Sequence, residues 1–291
     1  MTVRHTLLAL VVVVIWGLNF LVIDFGLDDV PPFVFVALRF FFVAIPAIFF
    51  IPRPAIGWKN LILIGVFLSL GQNCMLYLSL VLGMPPGLAS LLLQAQVVLT
   101  VIVSAIVLRE RPTRQQLLGI VIGMLGLAIV VVGHGQAAPW LPAVVILLGA
   151  LSWAIGNVLA RRAQAASGLS LVVWSGVVVP LPSILLASVV DGPAVVVHSL
   201  THLSWPAILS TLFTVVFSSF VGFGIWNTLL ARYSTGAVVP FTLLVPVVGI
   251  VAAWVVVHEQ PSLSQIVGGA IMLAGLAIAV VVWRRPPRWV E

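Results

Sequence analysis

Apolar residues run along this chain in long blocks, and polar residues fall between the blocks in short clusters. Breaks at Pro, Gly and charge clusters divide it into ten segments: 6–27, 31–51, 60–82, 86–108, 114–133, 140–160, 169–190, 206–230, 236–257 and 263–283. Each is about 20 residues, the length a helix needs to cross about 30 Å of hydrocarbon. Lipid offers no partner to free backbone groups, so helix is the default spanning element. Alternating ten-residue strands are absent, which argues against a barrel. The pattern predicts an all-α integral membrane protein of ten transmembrane helices, with loops too short for a soluble domain.

Composition supports the membrane reading. Of the 291 residues, 62% are hydrophobic and 7% charged, against about 25% charged in a soluble domain. The mean hydropathy is +1.28. The first segment follows Arg4 as a signal peptide would. No A-x-A site follows, and the run continues through Trp16-Gly17-Leu18-Asn19 to spanning length, so it reads as a retained first helix. Cys74 is the only cysteine, which excludes a disulfide within the chain.

The net charge of +6 is a topology signal and not a nucleic-acid patch. Arg4, Arg53, Lys59, Arg109, Arg111, Arg114, Arg161, Arg162, Arg232, Arg284, Arg285 and Arg288 all fall on one side when the loops are numbered alternately. The thirteenth basic residue, Arg39, lies inside a segment. The basic side is expected to be cytoplasmic, with both termini there. Asp28, Asp29, Asp191 and Glu259 fall on the other side.

The two halves match at an offset of 149 residues: Gly87 with Gly236, Glu110 with Glu259, Pro112 with Pro261, Gln116 with Gln265, and Gly119 with Gly268. Five segments per half is an odd number, so the second copy crosses the membrane inverted. The expected units are 1–133 and 140–291. Inverted repeats are typical of secondary transporters, which hold substrate near the midplane between them. Thr113-x-x-Gln116 and Ser262-x-x-Gln265 are capping boxes. Glu110 and Glu259, just before them, are read as turn and helix-end residues ahead of any role in transport.

Trp16-Gly17-x-Asn19, the Glu-x-Pro loops after segments 4 and 9, and the five-plus-five repeat resemble the EamA-type branch of the drug/metabolite transporter superfamily. Narrower strings are VVIWGLNFLVI from residue 13, GLASLLLQAQ at 87–96, GIWNTLL at 224–230 and LLVPVVG at 243–249. They are similar to its O-acetylserine/cysteine exporter group. Many EamA repeats carry Pro thirteen residues before the loop Glu. The second half has Pro246, whereas the first has Val97. The resemblance runs over essentially the whole chain. It implies a bacterial inner-membrane exporter of small polar metabolites, such as cysteine or O-acetylserine, working by alternating access. A facilitative, channel-like permease and an exporter of other hydrophobic or drug-like solutes are the alternatives.

Polar residues inside spanning helices are functional candidates by default. The substrate candidates are Trp16, Asn19, Arg39, Ser69, Gln72, Asn73, Gln94, Gln96, Trp153, Asn157, Trp226 and Asn227. Helical spacing puts Ser69, Gln72 and Asn73 on one face, continued by Tyr77, and pairs Trp153 with Asn157. Gln94 and Gln96 stand about 200° apart on a helix, so one of them is expected to line the path. Each single amide could equally be interhelical glue. Trp140, Trp205, Trp283 and Trp289 sit at segment ends, as interface anchors do.

Arg39 lies about 12 Å from its segment's outer end. It is read first as the partner of Asp24, which it would hold ionised, and second as a fork for a substrate carboxylate. Held ionised, Asp24 would be a poor proton carrier, and Asp24→Asn is expected to impair folding or gating without selectively uncoupling transport. Asp24 is the coupling candidate if that pairing is absent. The middle of the membrane holds no Asp or Glu, which disfavours cation export, and one arginine is too few for phosphorylated substrates. A small zwitterion fits best.

No G-x-S-x-G, H-E-x-x-H or phosphate loop is present, so neither an enzyme, a bound metal, a cofactor nor direct ATP drive is expected. Gly119, Gly123 and Gly126, and the small residues Gly268, Gly269, Ala270 and Ala274, allow close helix contact. Packing within the bundle is the first reading, and monomer and homodimer both remain open.

Overall fold

The computed structural model describes residues 1–109, 112–133, 140–163, 168–233 and 238–280. Of Asn227, Leu230, Ala231, Val239, Pro240 and Val280 it describes the backbone alone. Glu110, Arg111, His134, Gly236 and residues 281–291 lie outside the described residues, so the expectations that fall on them are not met with any geometry.

The described residues are helical throughout, with no strand. The helices are α1 (Val3–Leu27), α2 (Pro32–Ala47), α3 (Trp58–Val81), α4 (Pro86–Val107), α5 (Arg114–Gly133), α6 (Trp140–Ala163), α7 (Gly168–Val190) and a short α8 (Pro193–Thr201). Next comes α9, built in succession from Trp205–Phe213, Thr214–Gly222 and Phe223–Arg232. A 3₁₀ stretch, Val239–Leu244, leads into α10 (Val245–Val257), and α11 (Leu263–Val280) follows.

Seven of these, α1, α3 to α7 and α9, are long and apolar enough to cross a membrane. The helices α2, α10 and α11 are apolar but shorter. In α2 the limits are prolines: Pro32 opens the helix and Pro46 lies in its last turn, leaving 16 residues or about 24 Å. The helix α8 was not legible in the sequence. Gly192, at φ +89°, turns the chain, and Pro193 starts α8 at the position where a missing N–H costs nothing.

Several helices are interrupted. Gly65–Gly71 in α3 and Thr214–Gly222 in α9 are π-helical, and they lie 149 residues apart in register. The helix α4 breaks at Leu93–Gln94, and the 3₁₀ stretch before α10 falls at the corresponding place. Arg109 and His258, also 149 apart, are the only described non-glycine residues with positive φ, at 54° and 57°. Wide or broken turns at membrane depth free backbone groups, which is tolerated where they face protein or a cavity.

The first helix of each half packs against the other half. The helix α1 lies against α9 and α10, and α6 lies against α3 and α4. Glycines set these distances. A Cβ on Gly17 would fall 2.6 Å from Val248, and one on Gly156 would fall 2.6 Å from the Leu68 backbone nitrogen.

The closest pair is α5 with α11. A Cβ on Gly119 would stand 2.5 Å from the Gly275 carbonyl oxygen, and one on Gly126 would stand 2.5 Å from that of Gly268. Gly119, Gly126, Gly268 and Gly275 are therefore buried between the two helices, whereas Ala270 and Ala274 of the same small-residue set are exposed. Both capping boxes are formed. Thr113 N–H donates to Gln116 Oε1 (2.8 Å) and Gln116 N–H to Thr113 Oγ1 (3.2 Å). Ser262 N–H donates to Gln265 Oε1 (2.6 Å) and Gln265 N–H to Ser262 Oγ (3.2 Å).

Replacing Gly126 by Leu is expected to destabilise the fold by at least about 1–3 kcal/mol, the usual cost of overpacking. Leu118→Ala, on the exposed face of α5, is expected to leave the unfolding temperature near that of the wild type. Fluorescence-detected thermal unfolding in detergent checks both.

Candidate functional site

The polar side chains of the bundle form two clusters, with a few groups left over. The first surrounds Arg39, placed midway along α2. Its Nη1 donates to Asn73 Oδ1 and to the Tyr77 hydroxyl, each at 3.1 Å. Asn73 and Tyr77 are one turn apart on α3, so both reach the same guanidinium. Asn73 is itself oriented by Nδ2 donating to the Ser69 carbonyl at 2.8 Å, inside the π-helical stretch. Phe35, one turn before Arg39, packs edge-on against Tyr77 with ring centroids 5.2 Å apart.

Arg39 is 7% exposed, and its Nε has no acceptor. Among the described residues no carboxylate pairs with it. The expected Arg39–Asp24 pair is therefore corrected. The guanidinium points at the amide and phenol of α3, while the charged neighbours of half-buried Asp24 are Asp28 and Glu259. Arg39 does not hold Asp24 ionised. A buried cation without an anion carries a desolvation penalty of several kcal/mol that two neutral acceptors only partly offset.

The second cluster joins α1 to α9. Trp16 Nε1 donates to the Ser218 carbonyl at 3.1 Å, an acceptor inside the π-helical stretch Thr214–Gly222. The Trp16 ring packs against Phe223 and Trp226, each at 5.3 Å between centroids. Gly222 has to lack a side chain here, because a Cβ would fall 2.6 Å from Trp16 Nε1. Trp16 and Trp226 are thus brought together, as a pair of tilted rings closing α1 on α9.

Asn19, one turn from Trp16, is 8% exposed and its Oδ1 has no partner. Gln94 donates to the Thr242 carbonyl at 3.2 Å and ties α4 to the stretch before α10. Gln96 keeps a buried Oε1 without a partner. Of this pair, Gln94 is the interhelical tie and Gln96 the unused group.

Gln72, Trp153 and Asn157 are half-buried and belong to neither cluster. On α6, Ser152 donates to the Phe67 carbonyl and Gly156 abuts Leu68. Trp153 and Asn157 follow these residues, about 100° round the helix from the α3 contact. The side chain of Asn227 lies outside the described residues.

Glu259 does the helix-end work expected of it. The left-handed turn at His258 ends α10, and Glu259 then accepts from Gly87 N–H at 3.0 Å. Gly87 is in the first turn of α4, where a carboxylate meets free N–H groups and the positive end of the helix dipole. Trp174 Nε1 donates to the Ile51 carbonyl at 2.8 Å and anchors a loop. Trp140 and Trp205 stand exposed at helix starts, as interface anchors do.

Tyr77 is the functional candidate that sequence reasoning left out of the site. Its place on the Ser69–Asn73 face was visible, but no local pattern links it to a residue 38 positions earlier.

The EamA-like transporter family matches this chain over residues 4–132 and again over 140–281. The chain belongs to that family. It is 38% identical over 98% of both chains to a "Probable amino-acid metabolite efflux pump" of Escherichia coli K12. It is 39% identical to the protein of that name in Salmonella typhimurium, over 98% of this chain and 97% of the other. A "Probable terminal-alkyne amino-acid exporter" of Streptantibioticus cattleyicolor is 31% identical over 67% of this chain and 64% of its own. A solved crystal structure superposes with a TM-score of 0.61 over 96% of this chain and 97% of the other, at 22% identity, and shares the fold. This EamA-like transporter is a multi-pass membrane protein whose polar interior is built from α1, α2, α3, α4 and α9.

Tyr77→Phe takes one of two acceptors from a buried cation, and it is expected to cost about 1–3 kcal/mol of stability. The loss should disappear in an Arg39→Met background, where the hydroxyl no longer has a cation to face. Thermal unfolding of the two single variants and the double variant checks this.

Proposed function

We propose that this EamA-like transporter is a ten-crossing secondary exporter of small zwitterionic amino-acid metabolites, of the cysteine or O-acetylserine type, working by alternating access. The observation that carries the reading is Arg39, a buried guanidinium with no carboxylate partner among the described residues and an Nε edge with no acceptor. Guanidinium groups bind carboxylates as planar forks. A substrate carboxylate would supply the missing anion, and Asn73 and Tyr77 hold the fork ready for it. Asn19 Oδ1 and Gln96 Oε1 are buried acceptors without donors, the complement an ammonium group needs. The names of the relatives in Escherichia coli and Salmonella typhimurium, both amino-acid metabolite efflux pumps, support the same substrate class.

Alternating access is proposed through two inverted five-helix repeats, 1–133 and 140–291. The supporting observations are the register of the π-helical stretches, the equivalent left-handed turns at Arg109 and His258, and the exchange of α1 and α6 between halves. On this reading α2, α10 and α11 also cross, and the basic loops and both termini are cytoplasmic. The Trp16–Trp226 pair would form part of a gate between α1 and α9.

Asp24 is the proposed coupling residue. It is a half-buried carboxylate in α1 whose charged neighbours are acids and not a cation. Proton exchange at this residue would give substrate export a source of drive.

Proteoliposomes with a labelled amino-acid panel test these points. Arg39→Met is expected to reduce counterflow by roughly tenfold or more, the effect of losing a contact worth about 1.4 kcal/mol or more. It should keep or raise the unfolding temperature, because an apolar replacement removes the buried charge. Unchanged counterflow would sink the carboxylate site. Absence of trans-acceleration in the wild type would make the protein a channel-like permease. Asp24→Asn should leave counterflow intact and remove the response to a pH gradient. Equal loss of both would make Asp24 structural.

A further inference from the structure

The proposed substrate site leaves one part of the molecule unexplained, the Arg4 end of α1 and the Arg232 end of α9. Between them lies a cavity of about 320 Å³, whose lining includes Arg4, His5 and Leu8 from α1 and Ile225, Thr228 and Arg232 from α9. Helical spacing puts each set on one face, with Arg4 and Leu8 one turn apart and Ile225, Thr228 and Arg232 at intervals of three and four. Two arginines from the terminal turns of two spanning helices thus border one space.

The local bonds orient Arg232 and, among the described residues, bring no carboxylate to either cation. Arg232 Nη1 contacts His5 Nε2 at 3.4 Å. The other ring nitrogen, Nδ1, meets the Tyr233 hydroxyl at 2.7 Å and Thr2 Oγ1 at 2.8 Å. An imidazole carries no negative charge in any form that can accept from Arg232, so the His5 contact orients Arg232 without neutralising it. Among the described residues neither Arg4 nor Arg232 has a carboxylate partner. Gly224, also on the wall, leaves room: a Cβ there would meet nothing within 4 Å.

The surroundings select the kind of anion. Leu8 and Ile225 make the inner wall apolar. On α1, next to Arg4, the side chains of Val3, Leu7 and Val11 are exposed. At i, i+4 and i+8 they form a stripe about 12 Å long, running from the cavity rim toward mid-membrane. A soluble anion has no use for such a stripe, whereas an acyl chain does. Basic pockets between spanning helices at the membrane surface suit anionic head groups, at about 1 kcal/mol per Lys or Arg.

We propose that this cavity binds the phosphodiester head group of an anionic phospholipid. Arg4 and Arg232 face the phosphate, and one acyl chain lies along Val3, Leu7 and Val11. The bound lipid bridges α1 and α9 at the end away from the Trp16–Ser218 bond. The proposal does not depend on which solute is exported.

Native mass spectrometry of the full chain, with phosphatidylglycerol or phosphatidylcholine added at equal concentration, tests it. The wild type is expected to retain phosphatidylglycerol roughly tenfold to thirtyfold better, as two guanidinium contacts would give. Arg4→Gln with Arg232→Gln should remove that preference. Arg53→Gln with Lys59→Gln, an equal loss of charge at another basic loop, should keep it. Gly224→Leu, which fills the space and keeps every charge, should also remove it, and serves if the double arginine variant does not fold. A preference that survives Gly224→Leu, or that the Arg53/Lys59 variant loses equally, overturns the proposal. So does displacement of the lipid by millimolar inorganic phosphate or by a zwitterionic amino acid, since the cavity would then be a site for soluble anions.

Discussion

A backbone placed in hydrocarbon has no solvent to bond to, and each unsatisfied N–H or C=O there costs several kcal/mol. Every described segment of this protein meets that constraint by being helical. The departures from regular helix are therefore informative. The π-helical stretches of α3 and α9 and the breaks in α4 and before α10 present carbonyls that a straight helix would turn elsewhere. Side chains from other helices take them up: Trp16 bonds to Ser218 O and Gln94 to Thr242 O. Irregular backbone and polar side chains have been placed together, and that is where the two halves meet.

The same solvent makes helix association a matter of fit, because lipid tails are as apolar as the side chains they would leave. Glycines at the crossings bring backbones close enough for dispersion to act. The α5–α11 contact is the extreme case, with the backbones of Gly119 and Gly275, and of Gly126 and Gly268, almost touching. The contact of α1 with α9 adds a single bond and a ring pair, Trp16 with Ser218 and Trp226, to the close approaches of Gly26 and Gly222.

Arg39 is buried at a cost to stability. An apolar residue in its place would be cheaper to bury. The fold instead places Asn73 and Tyr77 around Nη1, leaves Nε without an acceptor, and leaves unpaired acceptors on Asn19 and Gln96. On the proposed function, these ordered and unsatisfied groups would receive a zwitterion, since bonds to an ordered fork lose little further entropy.

What could be read from the residues alone was set by solvent or by near neighbours. Blocks of Leu, Val, Ile and Ala mark helices in lipid because partition into hydrocarbon acts on each residue separately. Thr113–Gln116 and Ser262–Gln265 announce helix starts because a capping box closes within four residues. The fit of Gly119, Gly123 and Gly126 within the bundle was also legible, since a small-residue stripe needs a partner and α11 carried one. The pairing of Arg39 with Asn73 and Tyr77 instead of Asp24 was not. Those partners lie 34 and 38 positions away, and helical periodicity says which face a residue occupies but not which helix that face meets. For the same reason, the sequence could name Gln94 and Gln96 as a choice but not make it. Only the tertiary structure, by bringing Thr242 to Gln94 and Glu259 to Gly87, decided which polar groups tie helices together and which, like Asn19 Oδ1 and Gln96 Oε1, have no partner among the described residues.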